Sequence, residues 1–243
     1  MNYKNSILAR FIARDNRFVA RAQLLDGQEV VVHVKNTGRG KEILLPGAWV
    51  SLEYCPNSKR KTAYDLVAVK KQDQWINIDS QLPNLLAYEG LLHKEIILPK
   101  QEGELSFVKR EVRFEHSRFD LYYETTKGQK GFVEVKGLTL ENQGIGAFPD
   151  APTLRGEKHV LELIDSQKEG FTSYILFIVQ FEHIHLATIH SQMQPSLTKA
   201  IASAQQAGVE VLAYNCRVSA GEVTLKNRVP FDLAYPFVDP NQP

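Results

Sequence analysis

The apolar residues of this chain change their spacing once, near residue 80, and that change limits what it can fold into. Before it, apolar side chains alternate in short runs at residues 7–12, 17–25, 30–34, 49–54 and 63–69, the period of half-buried strands. Asp26-Gly27 and Pro46-Gly47 stand between runs as turn signals, since glycine supplies the positive φ that a tight turn needs. Five short strands with no long amphipathic helix must hide their edges, and a small closed Greek-key barrel of the OB type does so economically. From Leu82 the pattern becomes helical: Leu82, Leu85, Leu86, Tyr88, Leu91, Leu92 and Ile96 recur at helix spacing behind Pro83, a residue suited to a first turn. A chain of 243 residues has room for two modest cores. The expected division is residues 1–81 and residues 82–243.

The second part reads as a mixed α/β sheet. Residues 113–123 and 131–140 have strand character and flank Lys127-Gly128-Gln129-Lys130, which predicts an antiparallel hairpin. A loop rich in glycine and proline follows, then a helix over about 153–167, a buried strand at 174–181, a second helix at 196–207 stopped by Gly208, and a strand at 209–214. Strand, helix and strand in that order imply an α/β sheet, mixed because of the hairpin. The tail after Tyr235 reads as loosely held.

Composition excludes more than it assigns. The net charge of +1 means that any affinity for nucleic acid must come from a local patch. Cys55 and Cys216 are far apart and outside any CxxC pattern, against a disulfide framework or structural zinc, and two reduced thiols suit a cytoplasmic protein. The first ten residues lack the apolar core of a signal peptide, and the most apolar stretch, 174–179, is too short to span a bilayer; no membrane association is expected. Neither a Gly-x-Ser-x-Gly elbow nor a P-loop is present. His183-Ile184-His185 would share a strand face but has no evident third ligand, and Gly144-Ile145-Gly146 reads as a loop.

The informative constellation is Asp120 on the first strand of the predicted hairpin and Glu134-Val135-Lys136 on the second. Alternation along a strand puts Glu134 and Lys136 on one face, and a turn near Lys127 brings Asp120 close if the register permits. Two converging carboxylates call for a cation, and oxygen ligands suit Mg²⁺ or Mn²⁺. Such an ion can stabilise charge on a scissile phosphate while Lys136 orients water or neutralises the developing anion. Charges on exposed strand faces are common, so the pattern gains weight from lying within an apolar strand beside loop residues.

With these residues in view, the chain resembles the sugar fermentation stimulation protein family along nearly its whole length. The resemblance rests on Asn36-Thr37-Gly38-Arg39, the basic turn Ser58-Lys59-Arg60-Lys61-Thr62, Ser117-Arg118-Phe119-Asp120, Phe132-Val133-Glu134-Val135-Lys136, and Phe148-Pro149-Asp150-Ala151 with Thr153, Arg155-Gly156, Lys158-His159 and Glu162-Leu163. It departs where the family usually has Cys-Pro before the Asn-Thr-Gly segment and this chain has Val34-Lys35. The resemblance implies an α+β/α/β two-domain fold: an N-terminal OB-like β-barrel followed by a PD-(D/E)XK nuclease-like mixed sheet with flanking helices. It further implies DNA binding and a regulatory role in sugar metabolism. Asp120, Glu134 and Lys136 carry over as catalytic candidates, with Asp120 and Glu134 as metal ligands and Glu95, or less well Glu89, as the extra acid. Lys59, Arg60, Lys61, Arg118, Arg155 and Lys158 are the expected DNA contacts, and Trp49, Tyr54 and Tyr64 are aromatics available for stacking. A DNA-binding regulator that does not cut, and a small-metabolite sensor, are the competing functions.

Overall fold

The computed structural model describes residues 1–36, 38–56, 60–115 and 117–241; the expected contact Lys59 lies outside the described residues. The first part contains β1 (Ser6–Arg14), β2 (Val19–Leu24), β3 (Glu29–Val34), β4 (Trp49–Tyr54), β5 (Tyr64–Lys71) and β6 (Gln74–Asn77). Strands β3, β2, β1, β4 and β5 pair in that order, and a parallel β3–β5 contact closes the barrel while β6 extends from β5. The Asp26-Gly27 turn forms as expected: Gly27 has φ 91° and donates its N–H to Leu24 O, and Gln28 N donates to Asp26 Oδ1. Alternate residues such as Ala9, Phe11, Ala20, Ala22, Val32 and Val34 fill the barrel.

The second part begins with α1 (Leu82–Leu92) and continues through β7 (Leu105–Phe114), β8 (Ser117–Thr125), β9 (Lys130–Leu138), β10 (Leu140–Asn142), β11 (Ile145–Phe148), α2 (Leu154–Lys168), β12 (Thr172–Val179), β13 (Leu186–Ile189), α3 (Pro195–Gln206), β14 (Glu210–Val218) and β15 (Val223–Val229). Its main sheet has the order β15-β14-β12-β9-β8-β7, with β9, β12 and β14 parallel and the outer strands antiparallel. Helix α1 covers one face through Leu82, Leu86 and Leu91. Helices α2 and α3 cover the other through Val160, Leu163, Leu197, Ile201 and Ala204. Burial on both faces is why the central strand β12 reads as a continuous apolar run. Among the described residues no helix is long and apolar enough to cross a membrane.

Three expectations change. Residues 113–123 are two strands, because the chain reverses around Glu115, which has φ 45°; no glycine or proline announces that turn. The glycine- and proline-rich stretch contains β10 and β11, which join β13 in a small third sheet. The tail is held down: Phe237 is buried, Asp239 meets the buried His190 at 3.1 Å, and Val238 O accepts from Asn142 Nδ2.

The two parts share polar and apolar interiors. Asn77 N donates to Gln180 O, the Gln180 amide donates to Asn77 Oδ1 and Asp79 O, and Asn77 Nδ2 reaches Tyr3 OH. Asp79 in turn accepts from Lys35 Nζ and from Gln81 N at the start of α1. In the barrel Asp65, 2% exposed, is the partner of Lys35, His33 and Arg60. Burial pushes its carboxyl up, but the Arg60 hydrogen bond and the Lys35 charge bring it below the usual range. A depressed pKa stabilises the fold above the ordinary carboxylate range, and the gain is lost as pH falls through the folded value. Asp65→Asn should therefore cost about 2–3 kcal/mol at pH 7, with a smaller difference near pH 3, measured by urea denaturation. Equal stability of both proteins at pH 7 would contradict the assignment.

Candidate active site

Glu134 sits in the middle of β9, between β8 and β12, and is 1% exposed. Its Oε1 accepts from Lys136 Nζ at 2.5 Å and meets His159 Nδ1 at 2.5 Å. The same-face placement of Glu134 and Lys136 is thus realised. Burying a carboxylate is costly unless charge and hydrogen bonds are supplied, and here both come to one oxygen. Oε2 is buried and has no hydrogen-bond partner. Burial works to raise the Glu134 carboxyl, but Lys136 and His159 bring it below the usual range.

Asp120 lies one step beyond the end of the β8–β9 ladder, whose last pair is Leu121↔Val133. The β7–β8 ladder also skips it, pairing Arg110↔Leu121 and Val112↔Phe119 around Glu111 at φ 56°. Side-chain alternation slips there: Leu121 and Tyr123 pack on the α1 side, whereas Phe119 packs with Phe114, Phe132 and the His159 ring on the α2 side. Such irregularities re-aim a side chain. Asp120 Oδ2 takes the N–H of Val135 at 2.8 Å, a ladder donor that β8 no longer satisfies, and Oδ1 accepts from Asn84 Nδ2 at 2.7 Å. Burial, then the neighbouring Glu134 charge, raises the Asp120 carboxyl above its usual range.

An oxygen-only pair fits a hard divalent cation. Glu134 Oε2 has no partner, each Asp120 oxygen retains a second lone-pair direction, and the raised Asp120 carboxyl marks a place where positive charge is wanted. Glu95 is not near this pair: it is exposed beyond the far end of α1, its N–H bonded to Gly90 O. Glu89 is on the last turn of α1 and has no bond to Asp120 or Glu134. What α1 brings to the carboxylates is Asn84, from its first turn. A different cluster, Glu53, Cys55 and Asp65, places three ligand atoms within 4.8 Å of one another. Its buried carboxylate already faces Lys35 and Arg60, which supply the charge an ion would bring.

His159 reaches the site because α2 starts where it does. Thr153 caps the helix by accepting from Gly156 N, and Gly156, His159, Val160 and Leu163 form the buried face. The i, i+3, i+4, i+7 spacing alone turns His159 inward. Its ring also lines a concavity of about 410 Å³ with Arg113, Ser117, Arg118, Arg155 and Lys158. Three of the expected DNA contacts therefore meet beside Glu134. Their ion pairs, Arg118 with Glu111 at 3.4 Å and Lys158 with Glu162 at 3.5 Å, are partly exposed and weak enough to exchange for phosphate. Arg60 is engaged by Asp65, and Lys61 is exposed on the barrel, away from this cleft. Of the aromatics, Tyr54 and Tyr64 pair with each other and Trp49 lies under Arg10.

Comparison with known proteins finds two family models, one ending at residue 78 and one starting at residue 81. The family model described as the sugar fermentation stimulation protein RE domain matches residues 81–222, and that described as the SfsA N-terminal OB domain matches residues 12–78. A sugar fermentation stimulation protein homolog of Enterococcus mundtii is 60% identical over 241 residues, covering 99% of this chain and all of the relative. One from Alkaliphilus oremlandii is 46% identical over 236 residues, 96% of this chain and 99% of the relative. The structure of Pyrococcus furiosus SfsA in complex with Ca²⁺ superposes with a TM-score of 0.84 at 27% identity, covering 96% of this chain and 98% of that one.

Proposed function

The chain belongs to the sugar fermentation stimulation protein family, and from the site its residues build we propose that it binds DNA and hydrolyses phosphodiester bonds with a divalent cation, Mg²⁺ or Mn²⁺. The observation that carries the reading is Glu134: fully buried, one oxygen fixed by Lys136 and His159, the other unpartnered, with Asp120 across the strand and a basic cleft alongside. The Pyrococcus furiosus relative, in complex with Ca²⁺, supports a taste for divalent cations.

Asp120 and Glu134 would hold the ion, which when bound supplies Lewis-acid stabilisation of the phosphate and a more acidic water. The chain's own residues do the rest. An ammonium has three donors; the one on Glu134 orients Lys136, leaving the others for a phosphate oxygen or the attacking water. Arg113, Arg118, Arg155 and Lys158 seat the flanking phosphates, helped by the positive end of α2. Asn84 and Val135 N hold the Asp120 carboxylate in place.

Cleavage of single- and double-stranded DNA with Mg²⁺ or Mn²⁺, with binding measured on the same samples, tests the reading. Cutting that needs the metal supports it. Binding without cutting in either metal leaves a DNA-binding regulator, and no binding at all sinks the DNA reading. Cation affinity gives a second check. His159→Ala releases Glu134 Oε1, and second-sphere losses of this kind weaken metal binding about 10–100-fold, readable by calorimetry with Mn²⁺. Because the Asp120 carboxyl is raised, it still holds a proton at pH values where an ordinary aspartate has lost it; cation affinity should therefore rise with pH above the usual carboxylate range. Unchanged affinity in the variant would remove His159 from the site.

A further inference from the structure

The basic cleft at Glu134 has a neighbour on the barrel. The turn between β1 and β2, the loop at residues 38–41 and the approach to α2 at Ala151 and Pro152 enclose a second concavity of about 500 Å³. Arg14, Arg17, Arg39 and Lys41 line it, and none of its described lining residues carries a carboxylate. Only the capping residue Thr153 and the first helical residue separate Pro152 from Arg155, which lines the cleft beside His159. The two concavities therefore flank the same helix start, one built by the barrel and the other by the nuclease-like sheet.

This second groove is fixed in shape. The Arg14 guanidinium donates to Gly38 O, Arg39 O, Arg17 O and Asn36 O at 2.7–2.8 Å, tying both barrel turns together. From the other side Asp150 presses so close to Gly38 that a Cβ there would lie 2.0 Å from Oδ2, and burial raises its carboxyl above the usual range against the lowering pull of the Arg39 and Gly40 backbone and the Arg14 charge. Next to Arg17 on the β1–β2 turn, Phe18 is 51% exposed. A basic groove with an exposed aromatic on an adjoining turn is the arrangement that tracks a single strand, phosphates on the cations and a base on the ring, and loops of this kind carry oligonucleotides in OB barrels.

We infer that the groove lined by Arg39 and Lys41, with the exposed Phe18 on the adjoining β1–β2 turn, binds a single-stranded DNA segment continuous with the strand held at Glu134, so that the preferred substrate is DNA with an unpaired flank next to the scissile bond. This rests on the DNA reading above and specifies its substrate. The groove, rather than the Arg60 turn, is then the barrel's contribution to binding.

The test uses the full chain in EDTA, with labelled blunt duplex and the same duplex carrying a single-stranded tail, followed by fluorescence anisotropy over a salt series. Wild type should bind the tailed duplex about tenfold more tightly, and Arg39→Ala with Lys41→Ala should abolish that preference while leaving blunt binding unchanged. Loss of two phosphate contacts to a single strand should make the salt slope shallower by about 1.4. Phe18→Ala should lower tailed affinity roughly fivefold or more with no change in salt slope. All three side chains are at the surface, and thermal melts of the variants confirm an intact fold. Equal binding of blunt and tailed DNA by wild type, or equal loss on both in the double variant, overturns the inference. Loss of all binding in Arg155→Ala with Lys158→Ala, while Arg39→Ala with Lys41→Ala binds normally, overturns it and leaves the DNA reading standing. Failure of wild type to bind either DNA overturns both.

Discussion

Glu134→Gln should reduce metal-dependent DNA cleavage by roughly 10³-fold or more while DNA binding in the absence of metal stays near the wild-type level. The substitution keeps the shape of the side chain and removes the charge that pairs with Lys136 and His159. It leaves a half-buried ammonium opposite a neutral amide, so some stability is lost as well, up to about 3 kcal/mol by analogy with broken buried pairs; assays belong well below the melting temperature. Lys136→Ala separates the roles. Glu134 then keeps His159, so Mn²⁺ affinity should persist while turnover falls about 10²–10³-fold. If both variants cut like wild type, the activity does not arise at this pair. If both lose DNA affinity as much as cleavage, the residues serve binding and the regulatory reading prevails.

Phe119→Ala should cost about 3–5 kcal/mol, the largest single loss of stability that any one aromatic deletion should bring near the site. Phe119 is fully buried, its ring 4.9 Å from Phe132 and 5.8 Å from Phe114, and Phe171 closes the group at 4.9 Å from Phe132. The cavity opens one residue from Asp120 in the strand and against His159 at 6.4 Å. Cleavage should thus fall even at temperatures where the variant remains folded. Phe119→Leu, which restores much of the volume, should recover most of the stability. A loss below about 1 kcal/mol on urea denaturation of Phe119→Ala would show that the cluster collapses to fill the space.

Much of this architecture could be read from the sequence where local chemistry carried it. The Asp26-Gly27 turn needs only its two residues, and the shared face of Glu134 and Lys136 needs only the two-residue period of a strand. The reversal at Glu115 was hidden because a glutamate takes positive φ there, a conformation that ordinarily advertises glycine or asparagine. Asn84 could not be found by looking for another acid: what Asp120 requires from α1 is a donor, and which end of α1 meets it depends on tertiary packing. His159 was legible from helix spacing, since it shares a face with Val160 and Leu163, but its partner was not. The third sheet consists of strands of three or four residues, too short for a period to register. The anchored tail depends on His190, forty-nine positions away in the chain.

Tyr3 and Val67 belong to the same apolar cluster as Leu121, Val133 and Leu176, although the first two lie with the barrel and the others with the sheet. Backbone bonds reinforce the union, Tyr3 N reaching Gly221 O and Met1 N reaching Val223 O. The barrel is therefore a poor module to borrow. Grafted onto another protein it would arrive with Tyr3, Val67 and Asn77 shaped for surfaces left behind, and the sheet stripped of it would expose the apolar floor beneath α1. Two family models divide this chain near residue 80, but descent with shuffling of the halves would have to reinvent that seam each time, which favours their inheritance as a pair.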